Sequence, residues 1–411
     1  MSTDSKVMNI RLELFMLLGS IVAMVTAIFA STTLLSNVYA YQSQDQIESL
    51  TNSCSNDLLG LNVGCQNTGS EIQGNENAAA LGIEQTFPKM AFPPTDDPTD
   101  DPPMPEPGSV VATINVGSNP IGIATNPNNG NVFVADSSSN TVTVIDVTTN
   151  TVLGTPIQVG TTPTGVEFNP ANGNMYVSNL RSASLTEIDG DSNTVLGNPI
   201  PVGSGPWGLD FLPLDSGNAH IYVVNSNDNT VSVIDSSTNL PVGNPIPVGE
   251  DPREIQGNAV NDLFYVTNSF DNTVSIIDPE TNTIAGNPIQ VGSGPMGIEF
   301  NPNNGDMYVT NAGDGTISVI DPNTNEVVGS PVPVGNTPIG IKFNPNDGLM
   351  YVANFGSDTI SVIDPSSNTV VGHITVGEDP YLITFNPGNN LLYISNFGSN
   401  TVTVVETGSV Q

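Results

Sequence analysis

The stretch that decides the fold runs from Val291 to Pro333, VGSGPMGIEFNPNNGDMYVTNAGDGTISVIDPNTNEVVGSPVP. A Val-Gly start and Pro295 lead into Gly297-Ile298-Glu299-Phe300, and the turn Asn301-Pro302-Asn303-Asn304-Gly305 sends the chain back through Met307-Tyr308-Val309-Thr310-Asn311. After a polar tip come Thr316-Ile317-Ser318-Val319-Ile320-Asp321, the turn Pro322-Asn323-Thr324-Asn325 and a last apolar stretch. Alternating apolar positions bounded by Gly, Pro, Asn and Asp predict four short antiparallel strands joined by tight turns. Val-Gly starts recur at Val116, Val159, Val202, Val248, Val291, Val334 and Val376, at intervals of 43, 43, 46, 43, 43 and 42 residues. A period near 43 with four strands per unit predicts propeller blades, because a lone sheet with two apolar faces needs a neighbour on each side. The expected fold class is all-β, a seven-bladed propeller of four-stranded antiparallel blades over residues 109–411.

The chain ends say how the ring closes. The seventh copy stops at Thr401-Val402-Thr403-Val404-Val405-Glu406, one strand short, while residues 109–115, Ser-Val-Val-Ala-Thr-Ile-Asn, resemble the fourth strand seen at Asn368-Thr369-Val370-Val371-Gly372-His373-Ile374. Pairing of the two ends completes one sheet and covers edges that would otherwise seek other chains.

The second strand carries a signature: Met307-Tyr308-Val309-Thr310-Asn311, with echoes at Met175–Asn179, Phe264–Asn268, Met350–Asn354 and Leu392–Asn396, and drifted forms at Val132–Asp136 and Ile221–Asn225. These copies resemble the archaeal surface-layer proteins with YVTN-type propeller repeats, and the likeness spans roughly residues 109 to 406. It implies an extracellular or envelope-associated propeller with a binding or structural role, and it brings no catalytic motif.

Residues 1–40 read as a signal peptide or membrane anchor. Lys6 and Arg11 precede an apolar run from Leu12 to Ala30, and small residues end the segment at Ala40. If uncleaved, the helix touches the membrane with the propeller outside. Residues 41–91 are polar and hold both cysteines, Cys54 and Cys65, which in an exported chain are expected to form a local disulfide. Residues 92–108 are rich in Pro and Asp and predict an extended acidic linker of ~45 Å.

Six Lys plus Arg face 41 Asp plus Glu, a net charge of −35. Such a chain repels duplex nucleic acid and anionic membrane, so neither is an expected partner. Within the repeats the bases number three, Arg181, Arg253 and Lys342, and the two histidines, His220 and His373, fall in different units. No nucleophile-elbow spacing and no His-rich metal pattern is present, so the protein is not expected to be an enzyme. Asp189, Asp191 and Asn193 offer oxygen at every second position like the start of a calcium loop, though without its Gly and distal Glu. The same residues also fit the ordinary turn between third and fourth strands, and no other cofactor is expected.

The informative places are those where the repeat departs from itself. A variable residue follows each inner-strand proline: Ile121, Thr164, Trp207, Arg253, Met296, Ile339 and Tyr381. The fourth unit also carries Glu250 and Asp251, and the third carries an insert over 214–220. Trp207, Arg253, Met296, Tyr381, Glu250 and Asp251 are the expected ligand-binding residues at one mouth of the ring, since aromatic and Arg side chains grouped at a mouth are common binding anchors. Drift of free loops produces the same variation. A second variable position gives Ala124, Glu167, Asp210, Gln256, Glu299, Lys342 and Thr384, of which Glu167, Asp210, Gln256, Glu299 and Lys342 are expected to line a wet, cation-favouring channel. The function expected is a cell-surface or secreted binding module for a glycan, peptide or envelope protein. A structural envelope subunit is the alternative, and a metal-dependent propeller enzyme the third reading.

Overall fold

The computed structural model describes residues 108–213 and 219–408. The leader, the Cys54–Cys65 pair, the linker up to residue 107 and most of the insert after Pro213 lie outside the described residues. Seven antiparallel sheets make seven blades: residues 120–158, 163–201, 206–247, 252–290, 295–333 and 338–375 form blades 1 to 6, and 380–406 with 109–115 form blade 7. Each first strand meets the first strands of both neighbouring blades, and Pro380–Asn386 meets Pro120–Thr125, so the circle closes. The outer strand is continuous in blades 2, 5 and 6 and split into two short pieces in blades 1, 3 and 4. Among the described residues the one helix is the 3-10 turn Phe355–Ser357.

Closure follows the expected strand exchange. Ser109–Asn115 pairs antiparallel with Thr401–Glu406, with Val110 opposite Val405, Ala112 opposite Val404 and Ile114 opposite Val402. The register shifts between Val110 and Ala112, a bulge that twists the outermost edge.

The core is seven apolar clusters, one at each seam between blades. Tyr308 packs with Ile341, Phe343 and Met350 between blades 5 and 6, while Val309 packs with Tyr265 and Val274 between blades 4 and 5. Adjacent strand residues point to opposite faces, so one YVTN motif feeds two seams. The Tyr hydroxyl adds a polar tie at the end of its seam. It donates to the Asn that ends the outer turn of the next blade, as in Tyr222 to Asn282 Oδ1 (2.7 Å), Tyr308 to Asn368 Oδ1 (3.0 Å) and Tyr393 to Asn150 Oδ1 (3.1 Å). Blade 7 has no such turn, because its outer strand comes from the other end of the chain. Tyr351 donates instead to Asp347 Oδ2 (2.7 Å) in its own blade, and Tyr176 donates to Glu187 Oε1 (2.9 Å) in its own blade, with Glu187 in turn accepting from Asn239 of blade 3 (2.7 Å). Blade 1 has Phe133 in place of Tyr, and Asn193 Oδ1 opposite it is buried with no hydrogen-bond partner.

The motif Thr or Ser bridges in the same direction, nearer the axis. Thr310 Oγ1 donates to the Ile339 carbonyl (2.8 Å), Thr267 Oγ1 to the Met296 carbonyl (2.7 Å), and Ser395 Oγ to the Ile121 carbonyl across the closing seam (2.7 Å). That short reach needs glycine in the inner strand. A methyl built on Gly297 would overlap the Ile339 carbonyl oxygen, and one on Gly165 would lie 2.6 Å from the Trp207 carbonyl oxygen. Gly297→Ala is therefore expected to force two blades apart and destabilise the ring by about 2–3 kcal/mol. The urea midpoint of that variant, against Gly305→Ala in an open turn as a control for backbone strain alone, checks it.

Candidate functional site

Along the inner strands the residues run Pro, variable, Gly (in five of the seven blades), apolar, variable, and the two variable positions lie at different depths of the axis. At the deeper one, Glu167, Asp210, Gln256, Glu299 and Lys342 converge on a central cavity of about 150 Å³. Blades 7 and 1 contribute the small side chains Thr384 and Ala124 at this level, so the charged groups occupy the arc of blades 2 to 6. Lys342 Nζ sits 2.9 Å from Glu299 Oε1 and 3.1 Å from Oε2. Asp210 accepts from the Gly257 amide (2.7 Å), the Phe211 amide (2.6 Å) and Gln256 Nε2 (3.3 Å). Glu167 has only the Phe168 amide at 3.3 Å.

A sixth polar group joins them that the sequence pattern did not mark as channel-lining. Glu254 stands where Gly122, Gly165, Gly208, Gly297 and Gly340 stand in five other blades, and its side chain lines the same cavity. Gly208 of the neighbouring blade makes the room, since a methyl there would overlap Glu254 Oε1. The signal was available as a broken glycine position.

Burial dominates the electrostatics of this chamber. Removal from water pushes Glu254 up to about 8, with Glu167, Asp210 and Glu299 adding repulsion. Glu167 rises to about 7 through burial and then the Asp210 charge, and Asp210 to about 6 through burial against its amide donors. Glu299 is raised by burial and held back by Lys342. Burial would pull Lys342 down, but the surrounding carboxylates outweigh it and its pKa is raised.

The shallower position forms the mouth. Ile121, Ile339 and Tyr381 are buried against one another, with Trp207, Met296, Leu382, Phe355 and Phe397 packed on them. These residues come from blades 1, 3, 5, 6 and 7, so the cluster reaches across the axis. Arg253 lies over the Trp207 ring, Cζ 4.7 Å from its centroid, and Asp251 Oδ2 holds the guanidinium by Nε (3.0 Å) and Nη2 (2.6 Å). A cation on an indole face, fixed by a carboxylate, is a preorganised recognition element. Tyr381 packs edge-on against Phe355, centroids 5.9 Å apart, and against Phe397 at 6.2 Å.

Of the mouth residues expected from the sequence, Trp207, Arg253, Met296, Tyr381 and Asp251 come together. Glu250 is exposed on the preceding loop and tied there through its backbone, its amide donating to Asp271 Oδ2 and its carbonyl accepting from Phe270. Thr164 turns into the seam, where its hydroxyl donates to the Pro206 carbonyl (3.0 Å). Phe355 and Phe397 were not anticipated; they follow the motif Asn in blades 6 and 7, where other blades have Ser, Ala or Leu.

The remaining chemistry-bearing residues stand apart. Asp189 Oδ1 accepts from the Asp191 and Ser192 amides (3.1 and 2.8 Å), the geometry of a turn, and Asn193 takes the positive φ of 58° that ends it. Among the described residues no three His, Cys, Asp or Glu side chains are grouped to hold a metal ion. His373 Nδ1 is 3.2 Å from Ser361 Oγ on the outer wall, and that hydroxyl is fully buried as the acceptor of Asn354 Nδ2.

Comparison with known proteins agrees on the architecture. The NHL repeat family matches residues 118–145. No curated protein sequence matches the chain. Among solved structures, hydrazine synthase of Kuenenia stuttgartiensis is similar with a TM-score of 0.62 at 20% identity, covering 70% of this chain and 96% of that one. A streptogramin B lyase structure follows with TM-score 0.61 at 15% identity, covering 72% and 97%. Virginiamycin B lyase from Staphylococcus aureus gives 0.60 at 14%, covering 72% and 98%. Identities this low speak for the fold. The expectation that the protein is not an enzyme is thereby corrected: proteins named as enzymes are built on this same ring, and the fold does not settle enzymatic status. What the repeats, the seven closed sheets and these likenesses agree on is that the chain is a repeat protein of the β-propeller class.

Proposed function

We propose that the protein is an exported binding module, of the kind found among YVTN-type surface propellers, which presents the mouth around Trp207 and Arg253 to a glycan, a peptide or a neighbouring envelope protein. The observation that carries this reading is the convergence of Trp207, Arg253 and Tyr381 from three blades, with the guanidinium already stacked and clamped. Such an anchor loses little side-chain entropy on binding, because its rotamers are fixed beforehand. The apolar leader behind Lys6 and Arg11 and the acidic composition support placement outside the cell. The chain has a single Trp, so intrinsic indole fluorescence reports on the mouth alone. Oligosaccharide and peptide arrays probed with the purified protein are expected to give hits that also shift this fluorescence, and Arg253→Ala with Trp207→Ala is expected to weaken them at least tenfold. Hits that the double substitution leaves untouched would move the site elsewhere.

A structural envelope subunit is the second reading, favoured by the outer strands, where Val110, Val195, Leu240 and Val328 are exposed on four different blades. Sedimentation of the protein as a concentration-independent monomer would remove it.

A further inference from the structure

We infer that the central chamber is a binding site for a compact organic dication, a short alkyl diamine in chemical class. Four carboxyl groups line one cavity of about 150 Å³, and a single ammonium, that of Lys342, answers them. That ammonium is itself informative: the chamber already seats one alkylammonium, on Glu299, which is nine-tenths buried. With Lys342 on Glu299 and Asp210 supplied with two amide donors, Glu167 and Glu254 are left with the poorest partners. Glu254 accepts only from its own neighbour's amide at Ile255. A ligand with two ammonium groups a few carbons apart would meet those two carboxylates, with its methylenes against the apolar inner-strand residues Ile123, Leu209 and Ile383 that also line the cavity.

Two features independent of charge indicate that this space is built. Glu254 breaks the glycine of the repeat, and Gly208 next to it is the residue whose missing side chain admits the carboxylate. Across the axis the cavity wall is apolar, formed by Ile123 of blade 1 and by Leu382 and Ile383 of blade 7. Carboxylates short of partners in a space partly withdrawn from water are unfavourable unless protonated or paired, and a bound dication pairs them. Groups facing the pair from the surrounding inner strands are Asp210, Glu299, Lys342 and Gln256, with Arg253 and Tyr381 at the level above. Binding a cation favours the ionised carboxylates, so uptake releases protons and fails as pH falls through the values of about 8, 7 and 6 held by Glu254, Glu167 and Asp210.

The test is calorimetry of the full-length protein with 1,4-diaminobutane at pH 8.5 and pH 5, with butylamine, calcium chloride and sodium chloride as comparators. Saturable one-to-one binding at pH 8.5 is expected, with a heat that depends on buffer ionisation, at least tenfold tighter than butylamine and lost at pH 5. Glu254→Gln and Glu254→Gly, the second restoring the repeat residue, should each weaken the diamine at least tenfold, with thermal denaturation confirming that both variants fold. No saturable heat, equal affinity in both variants, or tighter binding of calcium than of the diamine would each overturn the assignment. This test leaves the mouth residues intact, so its failure does not touch the proposed surface function.

Discussion

Deleting residues 109–115 is expected to convert a sealed ring into an open, aggregating and partly unfolded one. The strand supplies Ile114, buried to 6% exposure, to the cluster that joins blade 7 to blade 1 through Val132, Val134, Tyr393, Val402 and Val404. Burial of that side chain is worth about 2–3 kcal/mol, and each of several backbone hydrogen bonds about 1 kcal/mol net. Their sum is comparable to the whole stability of an ordinary domain, about 5–15 kcal/mol. The deletion also bares Thr401–Glu406, whose Val402, Val404 and Val405 become an apolar edge open to other chains. Sedimentation should show oligomers, and the melting midpoint should fall by about 10 °C or more, given about 2–4 °C per kcal/mol in a domain of this size. Ile114→Ala, which keeps the edge paired, should cost stability without association. A monomeric deletion variant with an unchanged midpoint would mean that the ring does not depend on its seal.

The features legible in the sequence are those set by a period. Seven Val-Gly starts predict seven blades, the missing fourth strand in the last unit predicts its supply from 109–115, and strict alternation along the inner strand places Glu167, Asp210, Gln256, Glu299 and Lys342 on the axis. Features that depend on the neighbouring blade were not legible from one repeat. Tyr308 reaches an Asn sixty residues onward, and the reason Tyr351 turns to Asp347 is visible only when blade 7 is seen to lack an outer turn. The mouth shows the same limit. Thr164 and Trp207 hold equivalent places in the repeat, yet the hydroxyl of Thr164 finds a carbonyl in the seam while the indole is too large to follow and stays at the axis. Glu254 escaped the channel pattern because a substituted glycine gains a direction only from what surrounds it.

The chamber should also give the protein an inverted response to acid over the neutral range. Carboxyl groups whose folded pKa lies above the unfolded value bind more protons in the folded state, so stability falls as pH rises between the two values. For Glu254 the window runs from its ordinary 4.5 to about 8, and for Glu167 from 4.5 to about 7. Exposed turn carboxylates act in the opposite sense. Asp146, Asp189, Asp235 and Asp321 are lowered by hydrogen bonds from the turn that follows each, so the stability they contribute is lost only as pH falls below their ordinary 3.8. The optimum therefore lies near pH 4, between the two windows. One pKa unit corresponds to about 1.4 kcal/mol, and after allowance for coupling within the cluster Glu254 alone should cost about 2–4 kcal/mol at pH 8.5. Glu254→Gln should then raise the melting midpoint at pH 8.5 by about 5–10 °C and leave it nearly unchanged at pH 4.5, flattening the slope by close to one proton. General relief of the −35 net charge on acidification acts equally on the parent and the variant, so the difference between their profiles isolates the chamber. Parallel profiles would show that Glu254 is ionised and solvated at neutral pH, and that its carboxylate does not face the cavity on the axis.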